Sequence, residues 1–173
     1  MASTKRIVPC LLAFVMAVLT GCVPKYTLNG ASIDYSVYHT VSFGEFPIRA
    51  AMVYPPLQQL FENRMIDMVE QQTRLRVVDT QNSDLRLEGE ITGFSLSPQA
   101  VGEDAYASQT RLTITVRVKY TDNRNPSLSN DQTFSAYRDF PSTEMLNDVQ
   151  DELCDQITKD LSDLIFNATF GSW

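Results

Sequence analysis

Arg111, Arg117 and Lys119 stand at odd positions of the run Arg111–Thr121, in which Leu112, Ile114, Val116, Val118 and Tyr120 take the even ones. Such alternation is a half-buried strand, so the three cations share its solvated face. Guanidinium forks suit bidentate contact with phosphate or carboxylate, which makes these side chains candidates for holding an anionic ligand or partner. A second reading is internal. If Ser97–Ser108 closes a hairpin with the preceding strand, Glu88 falls opposite Lys119 and Glu90 opposite Arg117, a stabilising cross-strand arrangement. The same register sets Gly89 and Gly93 against Val118 and Ile114 on the core face. Arg86, Arg111 and Arg138 are left with no obvious acid opposite.

Catalytic chemistry has few places to reside. A single histidine, His39, excludes paired imidazole metal sites, and three cysteines form no thiolate cluster. The chain has neither a G-x-S-x-G nucleophile elbow nor a Gly-rich phosphate loop. Asp122-Asn123-Arg124-Asn125 has a superficial likeness to a calcium loop but lacks its spacing, central Gly and closing Glu. His39 reads as a strand-end residue, and the acidic side of the last helix as a solvated face. The expectation is a protein without cofactor, metal or enzymatic activity.

The chemistry at the N-terminus is of another kind. Lys5 and Arg6 precede the apolar run Ile7–Leu19, which ends in Leu19-Thr20-Gly21-Cys22. As a helix the run reaches about 20 Å, short of the roughly 30 Å hydrocarbon core, so it reads as a cleavable export signal and not a span. The closing Cys22 resembles the lipobox of bacterial lipoproteins, which implies a diacylglycerol on its sulfur, cleavage after Gly21 and an acylated amine. Two or more acyl chains anchor a protein stably, where one is marginal. Val23 after the cysteine, with no acidic residue before Asp34, implies by the same resemblance the periplasmic leaflet of an outer membrane. Loss of Lys5 and Arg6 leaves twelve basic against 21 acidic side chains, a formal charge of −9. That balance argues against nucleic acid as a partner. Only Cys154 then remains unmodified, flanked by Asp151, Glu152 and Asp155; it reads as a packing residue, not a reactive thiol.

The elements that position these residues follow from periodicity. Ala31–Val37 and His39–Phe43 read as short extended segments. Pro55-Pro56 opens a helix, with Leu57, Leu60, Phe61, Met65, Met68 and Val69 on one face and an end near Thr73. Leu75–Asp79 is a short strand. Leu85, Leu87 and Ile91 alternate with polar residues, while Phe94 and Leu96 have the other parity, so a bulge near Gly93 is needed to return them to the core. Asp122–Asp131 is a hairpin loop and Thr133–Phe140 the last strand. Ser142 caps a closing helix whose stripe is Leu146, Val149, Leu153, Ile157, Leu161, Leu164, Ile165 and Ala168. These periods specify an α+β two-layer sandwich, a four-stranded, mainly antiparallel sheet with two helices on one face. The domain plan is a signal at 1–21, a lipidated tether at 22–30 and a single domain at 31–173.

Several ordered segments are similar to the lipopolysaccharide-assembly lipoprotein family (LptE), in its shorter-tailed branch. They are Tyr26-Thr27-Leu28-Asn29-Gly30-Ala31-Ser32-Ile33, Thr73-Arg74-Leu75, Leu87-Glu88-Gly89-Glu90-Ile91-Thr92-Gly93-Phe94, Arg111-Leu112-Thr113-Ile114-Thr115-Val116, and Asp163-Leu164-Ile165-Phe166-Asn167 with Phe170 and Trp173. The likeness spans nearly the whole chain after Cys22. One departure is Phe46-Pro47-Ile48, where the family pattern has aromatic-x-Asn. The resemblance implies a non-catalytic subunit that plugs and helps assemble the outer-membrane β-barrel LptD and binds lipopolysaccharide. Arg111, Arg117 and Lys119 become candidates for the glycolipid phosphates. The alternative is a free lipid carrier or binding lipoprotein, which needs a roomy apolar pocket.

Overall fold

The computed structural model describes residues 33–99 and 109–171. The expected signal at 1–21, the lipid site Cys22, the tether at 22–30 and Trp173 lie outside them. Strand β1 (Thr40–Phe43) is followed by helix α1 (Pro56–Gln72), the two-residue β2 (Arg76–Val77), and long strands β3 (Leu85–Gln99) and β4 (Gln109–Asp122). A 3-10 turn at Pro126–Leu128 leads to β5 (Asn130–Pro141), and helix α2 (Leu146–Thr169) closes the fold.

The sheet runs β2-β1-β3-β4-β5. Among the described residues it has five strands, not four, and is mixed: β1 lies parallel to both β2 and β3, while the long β3–β4 and β4–β5 ladders are antiparallel and carry most of the pairing. Parallel neighbours need a crossover, and α1 supplies it between β1 and β2. Ala31–Val37 is not extended over its described part. Asp34 accepts the Ser36 N–H at 2.9 Å and the Val37 and Tyr38 N–H groups on its carbonyl, which closes a turn before β1.

Pro56 occupies the first turn of α1, whose Leu57, Phe61, Met65 and Val69 are buried, and Thr73 ends it as expected. The closing helix starts later than expected. Strand β5 continues to Pro141, the Ser142 hydroxyl bonds that of Thr110 at 2.8 Å, and Met145 takes the cap position without a side-chain bond. Leu164 is 47% exposed, not part of the stripe, since α2 packs on the sheet and on α1 from its other sides. Cys154 is fully buried, and burial, helped by Asp151, pushes its thiol up to about 12.

The expected bulge sits between Ile91 and Gly93, and it buries Phe94 beside Ile114, but Leu96, expected on the core with it, is 37% exposed. Gly93 then faces Thr115 on the polar side and not Ile114 on the core side, a one-residue correction to the even register. Strand also extends to Gln99, opposite Gln109, so the expected Ser97–Ser108 loop is shorter than its sequence limits; residues 100–108 lie outside the description.

Candidate functional site

The cations picked out by sequence lie on the face of the sheet away from the helices. Leu112, Ile114, Val116, Val118 and Tyr120 point to the core, which leaves Arg111, Thr113, Thr115, Arg117 and Lys119 on the other side. Glu88 pairs with Lys119 and Glu90 with Arg117 in register, as charge alone suggests. The ionic contacts go further than that register. Arg117 grips Asp131 through two hydrogen bonds of 3.0 and 2.7 Å and approaches Glu90 at 3.9 Å. Lys119 meets Glu88 at 3.3 Å, and Arg86 meets the same carboxylate at 2.9 Å.

Arg111 is not without an acid. It holds Asp139 of β5 through bonds of 2.8 and 2.9 Å, and its guanidinium stacks on the Tyr137 ring, 3.7 Å from the centroid. Arg86 has Glu88, and Arg138 pairs with Asp160 and donates to Gln156. Sequence reasoning missed Asp131, Asp139 and Tyr137, although the signal was present: registering β4 against β5 by charge across the Asn125-Pro126 turn sets Arg111 opposite Asp139.

The carboxylates respond to these partners. The Arg117 hydrogen bonds hold Asp131 below the usual carboxylate range, and those from Arg111 do the same for Asp139. Burial works against ionisation of Glu88, but Arg86 and Lys119 outweigh it and lower its pKa. Hydroxyls fill the middle of the face, with Thr115 and Ser135 bonded at 2.8 Å.

Beside Arg117 and Lys119 the face dips into an open groove of about 440 Å³, lined by those cations, Glu45, Glu88, Glu90 and Asp131, with Gly89 and Pro47 at its side. Four carboxylates thus surround two cations. Gly89 is required there: a Cβ would lie 2.1 Å from the Arg117 carbonyl oxygen and 2.8 Å from the Phe46 ring. Phe46, the site of the departure from the family pattern, is fully buried, edge-on to Phe61 with centroids 5.0 Å apart. Pro47 and Arg49 then exchange backbone hydrogen bonds with Ile91, extending the β1 edge past its strand.

The remaining candidates have structural partners. His39 is exposed, and it is its backbone N–H that donates to Asp84; Asp122 accepts the Tyr38 hydroxyl and the backbone N–H groups of Arg124 and Asn125. Among the described residues no group of three or more His, Cys, Asp or Glu side chains could hold a metal ion. No described helix is long and apolar enough to cross a membrane.

The family model for lipopolysaccharide assembly, LptE, matches residues 38–169, from the entry to β1 to the last turn of α2. The chain belongs to the LptE family. No protein with a curated description matches it. Among solved structures, this LptE-family chain is similar to a minor lipoprotein from Acinetobacter baumannii at 15% identity and a TM-score of 0.50, covering 75% of this chain and 90% of that one. It is also similar to a protein from Xanthomonas campestris at 14% identity and a TM-score of 0.51, with coverage of 74% and 81%. At these identities the likeness is one of fold.

Proposed function

We propose that this LptE-family chain is a lipid-anchored, non-catalytic subunit of the outer membrane. It sits as a plug inside the LptD β-barrel, helps that barrel assemble, and takes part in moving lipopolysaccharide to the cell surface. The acyl chains on Cys22 hold it at the periplasmic face. The observation that carries this reading, beyond family membership, is the solidity of the body. Phe46, Phe61, Met65, Ile91, Ile157 and Leu161 fill the space between sheet and helices at 1% exposure or less. A filled core suits a rigid plug and leaves no room there for the acyl chains that a free lipid carrier would hold.

The polar sheet face supports the same reading. Its hydroxyls and matched ion pairs are compatible with a water-filled lumen along which sugars and phosphates pass. Arg111, Arg117 and Lys119 are our assignment for the glycolipid phosphates, the two arginines exchanging a carboxylate for a phosphate in the same fork geometry and Lys119 contributing a point charge. Arg111 is the best placed of the three, since it stands apart from the carboxylate-rich groove that surrounds the other two.

A photoreactive residue at Thr115, introduced in living cells, tests the proposal. Crosslinks to the large β-barrel or to lipopolysaccharide within its complex are expected. Crosslinks to lipid alone, with the barrel never recovered, would favour the carrier.

A further inference from the structure

Strand β5 closes one side of the sheet, and among the described residues no strand lies beyond it. Its inner edge is paired with β4 along its whole length, from Tyr120 opposite Asn130 to Gln109 opposite Pro141. Every second residue must therefore turn its N–H and C=O groups outward. Natural edges are usually blunted by charge, proline or bulges. Here Asp131 and Arg138 bracket the uncharged stretch Gln132-Thr133-Phe134-Ser135-Ala136-Tyr137, about 20 Å of strand rich in Thr and aromatic residues.

Alongside this stretch runs an open groove of about 530 Å³ between β5 and α2, lined by Ser135, Ala136, Tyr137, Asp163, Leu164 and Asn167. Tyr137 and Leu164 are about half exposed on either side of the edge. Arg138 and Asp160 complete the groove's lining, which thus holds two carboxylates and one cation. Asp160 is taken by Arg138, whereas Asp163 has no ion-pair partner among the described residues.

We propose that this edge is a docking site for an extended segment of a partner protein, which adds a sixth strand beside β5. On the helix side the segment presents an apolar residue to Ala136 and Leu164, and two positions along, on the same face, a Lys or Arg that reaches Asp163. Charge selects this occupant over a second copy of the chain. Two-fold pairing of β5 with itself would bring together two such grooves, each with more carboxylates than cations, in a chain with 21 acidic and 14 basic residues. The proposal does not depend on the barrel reading, since it concerns the backbone edge of β5 and its helix side, although Ser135 and Tyr137 also belong to the polar sheet face.

The test uses the full-length chain extracted in mild detergent and two synthetic ten-residue peptides of alternating Val and Thr, one with Lys and one with Glu at the position facing Asp163. Amide hydrogen exchange of β5 is the readout. The Lys peptide should slow exchange at alternate residues between Gln132 and Tyr137 and bind at least tenfold more tightly than the Glu peptide, and Asp163→Lys should invert that order. Equal affinity of the two peptides, or no added protection in β5 from either, would overturn the proposal. So would β5 amides already protected in the free chain and released by deleting residues 23–30, which would show that the chain covers its own edge.

Discussion

Replacing Asp84 by asparagine probes the point where β1, β3 and the β4–β5 turn are tied together. Its carboxylate is only 7% exposed. One oxygen accepts the N–H groups of His39 and Thr40 at 2.8 and 2.9 Å and the Thr40 hydroxyl at 3.0 Å, and the other accepts the Arg124 guanidinium at 2.6 Å. Burial alone would raise the pKa. The hydrogen bonds from His39, Arg124 and Thr40 overcome it and hold Asp84 at about 2, against an ordinary 3.8. At about 1.36 kcal/mol per unit, the ionised form contributes roughly 2 kcal/mol to the fold. Because the folded-state value is the lower one, that contribution is complete above about pH 4 and is lost as pH falls toward 2. Asp84→Asn should therefore lose about 2 kcal/mol at pH 7, or about 7 °C in Tm for a domain of this size. The difference from the parent should close between pH 4 and pH 2. Urea titrations of both proteins at pH 7, 4, 3 and 2 read this directly. A variant as stable as the parent at pH 7, or a difference that stays constant down to pH 2, would refute the reasoning.

Further outcomes follow from the same contacts. Gly89→Ala should destabilise by about 2 kcal/mol or more in thermal melts, because backbone and a buried ring occupy the Cβ position. Gly93→Ala should cost less, as Thr115 side-chain atoms at 2.9 and 3.0 Å are its nearest neighbours. Arg111→Gln should weaken binding to lipopolysaccharide vesicles more than Arg117→Gln with Lys119→Gln, each melting within a few degrees of the parent; equal loss would remove the distinction drawn between the two places. Reversing Arg117 and Lys119 to Glu is a poorer probe, since it adds two carboxylates to a groove that already holds Glu45, Glu88, Glu90 and Asp131. Cys22→Ser should release the free chain from membranes, read by fractionation in cells lacking the barrel, because acylation is its proposed anchor.

The parts of the fold most legible in the sequence were those with long periods. Both helices show 3.6-residue spacing over several turns, and β3–β4 carries enough alternating charge to set its own register up to the bulge. The short strands β1 and β2 were legible as the extended segments His39–Phe43 and Leu75–Asp79, but their parallel pairing was not. Four residues in β1 and two in β2 are too few to set a register, and what fixes them is distant: the Asp84 hydrogen bonds to His39 and Thr40 and the α1 crossover. The start of α2 was misplaced because Ser142 is a good cap in isolation, yet its hydroxyl is engaged by Thr110 across the sheet. At the site, Arg117 and Lys119 were found with the correct opposite acids. Arg111 was taken as unmatched because its partner belongs to the next strand over, Asp139 on β5.

Affinity isolation after gentle detergent extraction, followed by the intact mass of what is recovered, addresses the central claim most directly. One copy of this chain is expected with one large outer-membrane β-barrel. Recovery of the chain alone, or with bound lipid and no barrel, would contradict it.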